Sequence, residues 1–299
     1  MYILEIHDVV KKYHNHTALN GVSFNIEKGK IFGLLGPNGA GKTSLIRIIT
    51  TITAADEGYV ILDGEKLNSR HPKIIGYMPE ERGLYKQMKV GEQLLYLGRL
   101  KGLSKSDAIK QIKSWFDKFD IGGWWDKKIE ELSKGMQQKV QFIATVLHKP
   151  KLIILDEPFS GLDPINTNLI KEEIAELNRQ GCSIVFSTHR MEQVEEICED
   201  IVLINTGKIV LEGNVDEIKE SNKENKFLIK TGQLPSGFTC PEGFEIIKKT
   251  DNEILFKADS HHHGNELLAK ILNQGIPIKS YHEVLPTLNE IFISKVKEN

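Results

Sequence analysis

Short apolar runs alternate with amphipathic stretches from the first residue to about 211, the pattern of an α/β domain. Ile31-Phe32-Gly33-Leu34-Leu35, Leu152-Ile153-Ile154-Leu155 and Ser183-Ile184-Val185-Phe186-Ser187 are unbroken enough to predict strands buried on both faces. Between the first two lies a stretch, about 84–147, that is helical in pattern. There Ser104-Lys105-Ser106-Asp107 reads as a capping box, followed by Ala108, Ile109, Ile112, Trp115, Phe116 and Phe119 at three- and four-residue spacing. The texture changes after Gly213. Residues 217–226 are charged and polar, broken by Ile218, and predict an exposed helix end and a linker. Strands are then expected at 227–230, 253–258 and 276–281, with a helix at 265–273. Thr287-Leu288-Asn289-Glu290 is a second capping box, expected to open a last helix. The expected division is an α/β domain over 1–220, with a helical subdomain at about 84–147, and a small α+β domain over 227–299.

Composition narrows the function classes. The chain has 299 residues, 40% of them hydrophobic and 27% charged, enough for a sizeable core. A net charge of −2 argues against general affinity for nucleic acid, so no nucleic-acid partner is expected. Apolar stretches such as 142–147 fall far short of the ~20 residues that cross a bilayer. Met1-Tyr2-Ile3-Leu4-Glu5 runs straight into a strand pattern, with no basic segment ahead of an apolar one, which argues against a signal peptide. Cys182, Cys198 and Cys240 are odd in number and widely spaced, unlike a disulfide framework or a zinc site. The expectation is a cytoplasmic protein that needs a partner for any membrane role.

The strongest chemical signal is Gly36-Pro37-Asn38-Gly39-Ala40-Gly41-Lys42-Thr43, set between the strand at 31–35 and the apolar helix pattern from Ser44. This is the phosphate-binding loop pattern in the strand–loop–helix context it requires. Its glycines let backbone N–H groups converge on phosphate oxygens, and the helix N-terminus adds favourable electrostatics. Lys42 is expected to reach the β- and γ-phosphates of a bound nucleotide, and the Thr43 hydroxyl to bind Mg²⁺. The second signal is Asp156-Glu157, two carboxylates ending a buried strand where ionised groups are costly. Paired with a phosphate loop, Asp156 is expected to hold Mg²⁺ and Glu157 to polarise an attacking water.

Between these signals, Leu132-Ser133-Lys134-Gly135-Met136-Gln137-Gln138-Lys139 is similar to the signature of ATP-binding cassette (ABC) ATPases. Ser160-Gly161-Leu162-Asp163-Pro164 resembles the D-loop of that family, and His189 in Ser187-Thr188-His189 resembles its switch histidine. Tyr13, 23 residues before Gly36, stands where the family places an adenine-stacking aromatic. The resemblance covers about 2–215 and looks closest to single-cassette ATP-binding subunits of bacterial exporters, including the sodium-efflux type. Through 79–85 and the C-terminal appendage it extends further.

What this resemblance implies is an ATPase that powers transport beside separately encoded integral-membrane subunits. Ser133 and Gly135 of one chain would complete the nucleotide site of a second ATPase subunit, with Asp163 at the junction, so that ATP drives dimerisation. His189 would contact the γ-phosphate and orient Glu157. Two departures stand out. Glu80 occupies the place of the family's usual Gln near Mg²⁺, and Lys134 and Met136 replace the usual Gly and Gln of the signature. Ribosome-acting relatives resemble tandem cassettes, whereas this chain has one loop and one signature. DNA-repair relatives carry a long coiled coil, whereas 90 residues without a heptad run separate Thr43 from Ser133. The membrane partner is expected in a groove beside Glu80, with Leu84 and Tyr85 as apolar anchors and Glu81 and Arg82 as a polar rim. His261-His262-His263 is expected to be a solvated loop, Trp124-Trp125 to pack at the base of the helical insert, and Cys182 and Cys198 to be unreactive thiols.

Overall fold

The computed structural model describes residues 1–81, 83–232, 238–259 and 261–298. Two compact units divide the chain, Met1–Gly213 and Asn214–Asn299.

The first unit opens with the long strands β1 (Tyr2–Tyr13) and β2 (His16–Glu27), then β3 (Ile31–Leu35) and helix α1 (Lys42–Ile49). Strands β4 (Glu57–Leu62), β5 (Glu65–Lys66) and β6 (Ile75–Met78) follow. Next come helices α2 (Val90–Leu100), α3 (Lys105–Lys118) and α4 (Lys134–Val146), which occupy the stretch read as helical. The unit continues through β7 (Leu152–Asp156), α5 (Pro164–Arg179), β8 (Ser183–Thr188), α6 (Met191–Ile197), β9 (Asp200–Asn205) and β10 (Lys208–Asn214).

Two sheets share the core of this unit. The first has order β2-β1-β4-β5; the second has order β10-β9-β3-β8-β7-β6. In the second, β9-β3-β8-β7-β6 pair in parallel. Every residue of β3, β7 and β8 is buried, as their unbroken apolar runs require when both faces are covered. Register then aligns the strand ends. Leu35 pairs with Thr188, Asp156 with Ser187, and Met78 with Leu155. The segments after β3, β6, β7 and β8 therefore leave the same carboxyl edge side by side, where α/β sheets place their ligand sites.

Local chemistry sets the helical insert. The Ser104 hydroxyl accepts from the Asp107 N–H at 3.1 Å and caps the start of α3, while the Asp107 carboxylate accepts from the Ser104 hydroxyl, so the N-cap half of the expected capping box is what forms. Trp125 packs edge-on against Phe116 at 5.9 Å and lies so close to Gly91 that a Cβ there would fall 2.5 Å from the indole. Trp125 is thus a packing residue, and Gly91 is what admits it.

The second unit begins earlier than the expected linker, because α7 (Val215–Ser221) belongs to it, capped by the Asn214 side chain. Strands β11 (Lys226–Thr231), β12 (Phe244–Lys249) and β13 (Glu253–Ala258), helix α8 (Gly264–Asn273), β14 (Ile278–Val284) and α9 (Leu288–Glu298) complete it. The antiparallel sheet has order β12-β13-β11-β14 and buries Phe227, Ile229, Ile254 and Phe256 with Leu267 and Ile271 of α8. Thr287 and Glu290 exchange the two hydrogen bonds of a capping box at the start of α9. His262 Nδ1 sits 2.6 Å from Asp259 Oδ1, and no group of three or more His, Cys, Asp or Glu able to hold a metal forms among the described residues.

Candidate functional site: a phosphate cleft at the carboxyl edge

The carboxyl edge holds a cleft of about 220 Å³ lined by Tyr13, His16, Ala18, residues 38–44, Glu80, Asp156 and Glu157. Two glycines shape its phosphate loop. Gly36 has φ 150° and Gly41 φ 113°, and a Cβ on either would fall 2.2 Å from the Ile204 carbonyl oxygen or 2.4 Å from that of Ala18. Only glycine fits such close approaches. Helix α1 starts directly after Gly41, so its unpaired first-turn N–H groups face the cleft beside those of the loop.

Lys42 is buried and donates to the carbonyls of Gly36, at 2.6 Å, and Pro37, at 3.1 Å. These two loop residues therefore hold the ammonium in place, while Asn38 to Ser44 face the cleft. Burial pulls the Lys42 ammonium below its ordinary pKa, opposed by the negative charges of Asp156, Glu157 and Glu80.

Asp156 ends β7 and accepts from the Ser187 hydroxyl at 2.8 Å, a bond that the β7–β8 register dictates. Burial pushes its carboxyl above the ordinary range, with added repulsion from Glu80 and Glu157 that the Ser187 bond and Lys42 oppose. Glu157 lies one residue past the strand with φ +50°, a left-handed turn that costs about 1–3 kcal/mol for a side chain of this kind. Strand alternation would send adjacent side chains to opposite faces. The turn instead brings both carboxylates into one cleft.

Three donors orient Glu157. Thr188 Oγ1 donates to Oε2 at 3.0 Å, while the His189 N–H, at 2.8 Å, and Nδ1, at 2.6 Å, meet Oε1. His189 is itself about half exposed, with its ring fixed on the carboxylate.

Thr43, Glu80 and Asp156 bring one hydroxyl and two carboxylates to the cleft. That all-oxygen set fits Mg²⁺, which takes one or two carboxylates and completes its shell with water and substrate phosphates rather than a protein cage. His16 and Ala18 line the cleft although sequence reasoning did not single them out. A tight hairpin pairs His16 with Tyr13 and so brings both to the cleft.

Ser133, Gly135 and Asp163 do not line this cleft. Ser133 caps α4 and accepts from the Met136 N–H at 3.3 Å, while Asp163 caps α5 and accepts from the Asn166 N–H at 2.9 Å. A Cβ on Gly135 would stand 3.7 Å from Leu162, so the signature and D-loop segments are neighbours within one chain.

A second cleft, of about 300 Å³, is lined chiefly by Tyr77, Pro79, Leu84, Leu97, Lys101 and Gln141. Tyr85 is 56% exposed and rests edge-on against Tyr96. Arg82, expected on the rim, lies outside the described residues.

Comparison with known proteins bears on this geometry. The ABC transporter family matches residues 19–160, and the C-terminal domain of DrrA1-3-like ATP-binding proteins matches residues 213–296. The uncharacterized ABC transporter ATP-binding protein YhaQ of Bacillus subtilis (strain 168) is 42% identical over 294 residues, 98% of either chain. The chain belongs to the ABC transporter ATP-binding proteins. The lantibiotic transport ATP-binding protein SrtF of Streptococcus pyogenes is 34% identical over 214 residues, 72% of this chain and 92% of SrtF. A solved ATP-binding subunit of an ABC transporter superposes with a TM-score of 0.69 at 29% identity, over 73% of this chain and 92% of the other. Members of this ABC family are ATPases that bind adenine nucleotide, pair with one another and couple to separate membrane subunits. No helix among the described residues of this ABC protein is long and apolar enough to cross a membrane.

Proposed function

We propose that this chain is the ATP-hydrolysing subunit of an exporter, held at the inner membrane face by its membrane partner. The observation that carries the reading is the meeting, at one sheet edge, of a buried lysine on a glycine loop with a carboxylate held by three donors. Lys42 and the loop N–H groups hold the phosphates, and Tyr13 stacks on the base. Glu157 takes the proton of the attacking water, and His189 keeps its carboxylate aimed. Thr43, Asp156 and Glu80 would hold Mg²⁺, which supplies positive charge to the phosphates when bound.

Ser133, exposed at the start of α4, and Gly135, half-buried in its first turn, are both absent from their own cleft and supply the donors missing on the far side of the γ-phosphate of a second subunit, with Asp163 beside them. The apolar cleft beside Pro79 and Leu84 receives the membrane subunit. Export is the direction supported by relatives named for lantibiotic transport and linearmycin resistance.

Mg²⁺-dependent ATPase assays with two variants test the reading. Lys42→Ala should weaken nucleotide binding at least tenfold. Glu157→Gln should keep binding, lose turnover by about 10²-fold or more, and accumulate an ATP-bound dimer in size-exclusion chromatography. Near-normal turnover in Glu157→Gln would remove it as the general base.

A further inference from the structure

The helix capped by Ser133 also touches both loops that carry carboxylates into the cleft. Gln138 and Gln141, one turn apart on α4, are only 3% and 4% exposed. Gln138 Nε2 donates to the Pro158 carbonyl at 2.9 Å, and Gln141 Nε2 donates to the Pro79 carbonyl at 2.8 Å. A carbonyl only accepts, so each amide must present its NH₂ end, and neither role can pass to a carboxylate or an ether. Pro79 immediately precedes Glu80, and Pro158 immediately follows Glu157. The bond to Pro79 fixes the peptide plane that bears the Glu80 N–H. The bond to Pro158 holds the chain one residue beyond the strained turn at Glu157.

The same helix secures its own start. Gln137 Nε2 donates to the carbonyls of Ile129, at 3.2 Å, and Leu132, at 3.0 Å, and so tethers the segment that delivers Ser133. Gly135 packs on Leu162, five residues past Glu157. Within two turns, α4 therefore joins the signature tip to the Glu157 segment and the Glu80 segment. A buried amide bonded to a buried carbonyl does not exchange freely with water, because breaking it strands both groups.

We propose that Gln138 and Gln141 are positioning residues that lock the signature-bearing helix to both carboxylate loops. Ser133 of one chain is then held in register with that chain's Glu80 and Glu157, and the quality of a chain's own cleft is transmitted to the site it completes across the dimer. This inference rests on the composite-site reading above.

The test replaces each glutamine with methionine, similar in length and without a donor. In the otherwise unaltered full chain, Gln138→Met/Gln141→Met should lower kcat at least tenfold while KM for ATP stays within about twofold, because the phosphate loop is untouched. Should the double variant fail to fold, each single variant carries the same test with a smaller fall.

Mixed dimers separate transmission from local damage. Pairing a Lys42→Ala chain with a Ser133→Arg chain leaves one intact composite site, whose signature comes from the Lys42→Ala chain. Adding both glutamine substitutions to that signature-giving chain should lower turnover at least fivefold, although its own loop is already silent. Unchanged turnover there overturns the proposal. If the parent pair is inactive while the wild-type protein hydrolyses ATP, the composite-site reading is what fails. The wild-type background then decides, and an unchanged kcat in the double variant still sinks the positioning role.

Discussion

Asp156 shows what a single residue costs in this fold. The residue is 6% exposed, close to Glu80 and Glu157, and burial disfavours the charged form of its carboxyl. The only hydrogen bond it accepts among those described is from the Ser187 hydroxyl, and an amide oxygen could accept it equally well. Asp156→Asn should therefore raise the stability of the nucleotide-free protein by about 1 kcal/mol, or roughly 2–4 °C in Tm, while Mg²⁺-dependent hydrolysis collapses. Thermal melts beside ATPase rates check both halves. An unchanged or lowered Tm would show that the site does not strain the fold at this position. Glu157 carries the same tension in its backbone, held in a left-handed conformation by donors on the neighbouring strand.

At the scale of elements, the end of α4 offers a pH dependence. His148 Nε2 donates to the Ile75 carbonyl at 3.1 Å, and its buried Nδ1 has no hydrogen-bond partner among the described residues. Burial first, and the nearby Lys101 ammonium second, push its pKa from 6.5 down to about 4. The unfolded chain thus takes up a proton in a range where the folded chain cannot. The stability that neutral His148 provides is complete above pH 6.5 and is lost as pH falls toward 4, at up to about 1.4 kcal/mol per pH unit. His148→Gln, which keeps a donor for Ile75, should flatten that slope in urea titrations at pH 6.5, 5.5 and 4.5. Equal slopes would refute the assignment.

Elements also show what the sequence could and could not convey. Strands β3, β7 and β8 are legible because burial on both faces demands unbroken apolar runs, and the phosphate loop and carboxylate pair attach to their ends. Strand β12 was not predicted, since Phe244-Glu245-Ile246-Ile247-Lys248-Lys249 lies at a sheet edge, half exposed, with a register shift between Ile246 and Lys248. The ties from Gln138 and Gln141 were invisible for another reason. A glutamine on an amphipathic helix looks solvated until the fold lays two proline carbonyls beside it.

At the scale of the whole molecule, the proposed docking site for the membrane subunit is the apolar cleft beside Pro79, walled by Leu84 and Leu97. Leu84→Asp with Tyr85→Asp should leave the ATPase of the isolated subunit within about twofold. Membrane association and transport should fall at least tenfold. Normal assembly of this variant in membranes would move the docking surface elsewhere.

The strand order has a consequence for synthesis. Both neighbours of β3 in its sheet, β8 and β9, are encoded some 150 residues after it. At translation rates of about 5–20 residues per second, β3 and its phosphate loop leave the ribosome roughly 8–30 s before either neighbour exists. Throughout that interval the loop has no flanking strand and the Ile204 carbonyl that packs on Gly36 is absent, and for most of it Asp156 and Glu157 have not been made. The nascent chain is therefore blind to nucleotide until most of the first unit has emerged, and ATP can select only chains in which the far strands have already closed around β3.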